Sequence, residues 1–227
     1  MRGFAGAFIS VAGLVYVMLM TNFMIALTCL PVWVLAILVD LRVSWLWVAA
    51  TAILLSPALA GAYAVFKAYS LEGSTAAIRT YFRAWWGTWK RLWPVALGAV
   101  GLFFVVGVDF YATTLWGYGM LTLPLTVVLV CLGLGTALNA WVALVDRPDL
   151  TRWTVVKACL YLCVRKAGWT LLSLVVIGAL ASIIWVRPAV GLGILMAPGL
   201  YVVWGNCRRT LVSLLPAAER VKDGGAW

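Results

Sequence analysis

The sequence predicts an all-α polytopic membrane protein: a bundle of about six transmembrane helices with an interfacial amphipathic helix on the cytoplasmic side. Three observations predict it. Gly3 through Val39 carry no charge, and the rest of the chain alternates long apolar runs with short basic segments. Hydrophobic residues make up 65% of the chain and charged residues 11%, too little polar surface to cover a water-facing globule. The 17 Lys and Arg also fall almost entirely on one side of the implied topology.

A hydrocarbon core of about 30 Å needs about 20 helical residues to cross it, and the apolar runs at 13–39, 45–67, 93–117, 120–145, 167–186 and 188–207 are each long enough. A membrane β-barrel would alternate polar and apolar positions, whereas Val127 to Leu132 is apolar on every side. Residues 1–210 therefore read as a single transmembrane domain and 211–227 as a cytoplasmic tail. The first run follows Arg2 closely, but it is too long, and Ala5 and Ala7 come too early, for a cleaved secretory signal.

Basic residues in short loops stay on the cytoplasmic face. With an even number of spans and the N-terminus inside, every Lys and Arg except Arg42 and Arg187 is cytoplasmic. The expectation is a bacterial inner-membrane protein with both termini in the cytoplasm. The net charge of +10 is then a consequence of topology, and no nucleic-acid partner is expected.

The segment Ser74 to Trp93, STAAIRTYFRAWWGTWKRLW, is the most organised part outside the spans. At 100° per residue Ile78, Phe82, Trp85, Trp89 and Trp93 share a stripe, flanked by Arg79, Arg83 and Lys90, with Arg91 on the polar side. Such a helix over 74–92 suits the inner membrane surface, rings at headgroup depth and cations snorkelling, or a partner protein's cytoplasmic domain. Arg79, Phe82, Arg83, Trp85, Trp89, Lys90 and Arg91 are the candidate docking residues. A second basic segment, Asp149 to Lys166, precedes the fifth span with weaker amphipathicity.

The chain has no histidine and seven acids, which excludes zinc–histidine sites, histidine acid–base chemistry and Ser-His-Asp triads. No phosphate-cradling loop occurs. Neither enzyme activity nor a cofactor is expected. Cys159 and Cys163 share a helical face, which fits a redox pair, half a metal site or, more simply, packing; Cys29, Cys131 and Cys207 have no such spacing.

Asp146 and Asp149, beside Arg147, read as loop acids, Glu219 and Asp223 as tail acids, and Asp40 and Glu72 as residues just past span ends. Asp109 differs. It lies about 22 Å along a helix from Pro94, in the outer part of the bilayer, where a carboxylate costs roughly 2–3 kcal/mol unless partnered. It reads equally as a helix-end residue reaching the interface or as part of a substrate or ion site. Asn22 and Asn139 are buried amides suited to interhelical hydrogen bonds, or with Asp109 to an intramembrane polar site. Pro94 and Pro188 fit first-turn positions, whereas Pro31, Pro57, Pro124 and Pro198 interrupt spans and predict kinks.

Thr21-Asn22 through Leu30-Pro31, then Pro57-Ala-Leu-Ala-Gly-Ala-Tyr63, then Tyr81-Phe82-Arg83 and Lys90-Arg91-Leu92, resemble in their order the YesL-like family of small bacterial membrane proteins, in its actinobacterial type. Members of that family are commonly encoded beside carbohydrate ABC importers and glycoside-degrading enzymes. The resemblance therefore implies a non-enzymatic subunit or accessory protein of an ABC-type carbohydrate uptake system, with permease subunits and membrane lipids as partners. The reductase label that some members carry has no dinucleotide fingerprint or cluster-ligand spacing behind it in this chain. The alternatives are a stand-alone small carrier or channel using Asp109, Asn22 and Asn139 in a kinked bundle, and a homo-oligomeric scaffold packed through Gly98, Gly101, Gly133 and Gly135.

Overall fold

The computed structural model describes residues 2–31, 34, 45–116 and 119–212. In chain order the helices are α1 (Arg2–Thr28), α2 (Trp45–Glu72), α3 (Ala77–Trp116), α4 (Gly119–Asp146), α5 (Arg152–Arg165), α6 (Ala167–Val186), the short α7 (Pro188–Val190), a π-helical turn (Gly191–Leu195) and α8 (Met196–Val212). No strand occurs among the described residues. Among the described residues six helical stretches are long and apolar enough to cross a membrane, so the predicted all-α polytopic bundle is the fold. The expectations for the end of the first span, for Asp40 and Arg42, and for the tail acids lie outside the described residues.

One predicted boundary is absent. The expected interfacial helix and the third span form a single 40-residue helix, α3, with Pro94 inside it. At 1.5 Å per residue this helix is about 60 Å long, twice the hydrocarbon core. Proline removes one ladder bond but presets a helical φ, and Lys90, Arg91, Leu92, Ala96 and Leu97 around it are strong helix formers, so the ladder runs on through position 94. Pro57 and Pro124 likewise lie inside α2 and α4, while Pro188 occupies the first turn of α7 as predicted. The second basic segment forms α5, which buries Val155, Cys159, Leu162 and Cys163.

The α2–α3 pairing is the most extensive in the bundle. Gly73 reverses the chain with φ +64°, and its N–H donates to Tyr69 O at 3.0 Å, the left-handed cap that glycine adopts without a Cβ penalty. α3 then runs back along α2, and the fully buried Tyr81 ring packs directly against Gly61. A Cβ at Gly61 would stand 2.8 Å from that ring. The Tyr81 hydroxyl pairs with Thr28 Oγ1 at 2.8 Å, so one side chain joins α1, α2 and α3.

Burial is polarised along the bundle. Buried positions concentrate in the second half of α2, the second half of α4 and the body of α8. Most apolar residues of α3 after Gly101, of α4 between Leu123 and Leu129, and of α6 are exposed. Outward-facing Phe103, Phe104, Val105, Leu123, Leu125, Leu171, Val175 and Trp185 are tolerable only where the solvent is itself apolar.

Candidate functional site

The exposed side of the first half of α3 is set by its buried side. Ala77, Tyr81 and Leu92 face the bundle and are buried, which turns Arg79, Phe82, Arg83, Trp86 and Lys90 outward. The predicted stripe is shifted accordingly: Ile78, Phe82 and Trp93 are exposed, Trp85 and Trp89 are half-buried, and Trp86, which the stripe omitted, is 78% exposed. Trp85 and Trp89 meet edge to face with centroids 5.5 Å apart. Arg91 leaves the docking set, because its guanidinium is turned inward onto the loop after α4. It donates to Pro148 O and, at 2.8 Å, to Leu150 O.

Those two bonds hold the α4–α5 loop against α3 and frame a cleft of about 820 Å³. Arg91, Arg152 and Trp153 stand at one end, and Gly98, Leu102 and Gly133 line its apolar depth. Arg152 and Trp153 are exposed. Among the described residues no carboxylate forms an ion pair with Arg91 or Arg152.

A second charged group was missed in the sequence. Asp146, read there as a loop acid, is the last residue of α4, mostly buried, with its carboxylate 3.3 Å from Lys67 Nζ of α2 and 4.0 Å from Arg208 Nε of α8. Lys67 also donates to Asp146 O at 3.3 Å, and the Arg208 guanidinium lies 5.4 Å over the Trp204 ring. A carboxylate at a helix C-terminus is disfavoured by the dipole; here the two cations offset it and tie the ends of α2, α4 and α8 together. The signal was present: Lys67 and Arg208 are cations at the ends of apolar spans, where an acid at the same depth is the natural partner.

The three polar intramembrane candidates do not converge. Asn22 bridges the π-helical turn and the start of α8: its Nδ2 donates to Gly193 O and Ile194 O at 3.0 Å each, and its Oδ1 accepts from the Ala197 N–H at 2.7 Å. The amide is thus inserted into the helix ladder where the π-helical turn and Pro198 disturb it. Asn139 donates to Gly135 O of its own helix at 2.8 Å, and its buried Oδ1 has no hydrogen-bond partner. Asp109 accepts from the Thr126 hydroxyl across α3 and α4. Thr126 lies about 20 Å along α4 from Asn139, so one small solute cannot touch both.

Cys159 and Cys163 are buried free thiols on the inner side of α5. Burial pushes the Cys159 thiol up to about 12 and also raises Cys163. Among the described residues no three His, Cys, Asp or Glu side chains cluster as a metal site. No protein-family model, curated protein or solved structure matches the chain.

Proposed function

We propose that the chain is a non-enzymatic integral membrane subunit or accessory protein of an ABC-type carbohydrate uptake system, held in the bacterial cell membrane with both termini cytoplasmic. The observation that supports an accessory role is the outward face of α3. Arg79, Phe82, Arg83, Trp86 and Lys90 project from a helix whose opposite side packs against α2 through Tyr81 at Gly61. Aromatic rings interleaved with cations on a rigid helix are enriched where proteins dock. The partner class, importer permease subunits, rests on the resemblance to YesL-like proteins, and the orientation rests on the cation distribution.

A carrier is the weaker reading, because Asn22 is saturated by α8 and Asp109 and Asn139 lie far apart along the bundle.

Affinity capture of the tagged chain from native membranes tests the proposal, with co-purifying proteins identified by mass spectrometry. Importer permease subunits are expected in the eluate, and replacing Arg79, Arg83 and Lys90 together by Gln is expected to reduce their recovery several-fold. An eluate with no transporter subunit above the untagged control ends the reading.

A further inference from the structure

We infer that the cleft between α3, α4 and the start of α5 is a binding site for one anionic phospholipid of the leaflet on the basic side of the protein. Its dimensions and chemistry both point there. From Arg91 at the mouth to Leu102 in the depth, α3 advances about 16 Å, close to half of a 30 Å hydrocarbon core and hence to the reach of one leaflet. The cleft volume of about 820 Å³ lies within the usual range of about 300–1,000 Å³ for ligand sites. Its inner part is walled mainly by Gly98, Leu102, Gly133 and Ala137, which offer an acyl chain contact, with the Thr136 hydroxyl among them.

The mouth has the opposite character. Arg91 spends its donors on the carbonyls of Pro148 and Leu150, which fixes the guanidinium without neutralising its charge. Arg152 is exposed beside it on the first turn of α5, and Trp153, 76% exposed, sits where indole rings favour the headgroup layer. Basic pockets between transmembrane helices at the membrane surface recognise phosphate headgroups. An uncharged or zwitterionic lipid would fill the apolar depth equally well and leave the paired cations uncompensated, so the charge distribution selects an anionic headgroup.

The test is native mass spectrometry of the full chain, released from micelles containing equal phosphatidylglycerol and phosphatidylcholine of the same acyl chains. One retained phosphatidylglycerol, in excess over phosphatidylcholine, is expected. A Cβ at Gly98 meets open space, so Gly98→Leu should fold, fill the cleft and abolish retention of both lipids. Arg152→Gln leaves the apolar depth intact and should lower only the phosphatidylglycerol preference, by about fivefold for one basic residue. Equal retention of the two lipids by the wild type would overturn the inference. So would adducts unchanged in both variants, or a wild type that holds no lipid and self-associates through a surface that Gly98→Leu disrupts.

Discussion

Asn22 restores to the last helix the hydrogen bonding that Pro198 withholds from it. Proline has no N–H for Ile194 O, four residues back, and the Asn22 amide of α1 donates to that carbonyl and to Gly193 O while accepting from the Ala197 N–H. An interruption in one helix thereby becomes the attachment point of another.

Replacing Asn22 by Ala removes a donor from the Ile194 carbonyl and an acceptor from the buried Ala197 N–H, at about 1–3 kcal/mol for a buried group left unpaired. The loss is moderated in membranes, where the unfolded reference also finds partners. We expect Asn22→Ala to lower stability by about 2 kcal/mol, read as a reduced thermal midpoint in detergent. An unchanged midpoint would show that α8 holds its geometry without α1.

The other buried asparagine should behave in the opposite way. Asn139 Oδ1 has no partner, and its Nδ2 bonds a carbonyl of its own helix. Leucine at this position removes a desolvated acceptor at similar volume, so Asn139→Leu is expected to be neutral or stabilising in the same unfolding assay. A loss as large as that of Asn22→Ala would mean that Oδ1 has a partner during folding.

Asp146 is expected to couple energetically to Lys67. Removing a partner from a mostly buried pair is costly, although Lys67 is one-third exposed and the interaction is correspondingly screened. Asp146→Asn should destabilise by roughly 1–2 kcal/mol, and Lys67→Met should cost less once Asp146 is already Asn. Strictly additive losses in that double-mutant cycle would mean that the two side chains act separately.

Cys159 and Cys163 should resist alkylation in the folded protein. Their raised pKa values keep both as thiols where an ordinary cysteine near 8.5 would begin to ionise. Raising the pH from 7 to 9 is therefore expected to accelerate maleimide labelling of these two positions far less than in the denatured chain, followed by peptide mapping. Parallel pH profiles in the folded and denatured states would contradict the burial of α5 against α4.

What the sequence showed clearly was what lipid enforces. A backbone in hydrocarbon must satisfy its own hydrogen bonds, so uninterrupted apolar runs become helices, and the spans emerge from hydropathy alone. Side-chain partners follow no such local rule. Asp146 stands beside Arg147 in the chain and reads as a loop acid, yet its Lys67 partner is 79 residues away. The cleft is assembled from α3, α4 and the α4–α5 loop, none of which suggests a concavity by itself. Arg91 seemed another exposed cation because periodicity places it on a polar side and cannot show that the loop at Pro148 reaches it. The α3 boundary was misplaced because proline is enriched in the first turn of helices, and here the helix that precedes Pro94 runs on through it.

The unbroken α3 carries two differently packed halves on one backbone. Its first half packs against α2 at Tyr81 and Gly61, its second half presents mostly exposed apolar side chains, and Pro94, which removes one ladder bond, lies between them. Because one helical ladder runs through position 94, the direction in which Phe103 and Phe104 point around the rod is set by the same backbone that turns Arg83 outward.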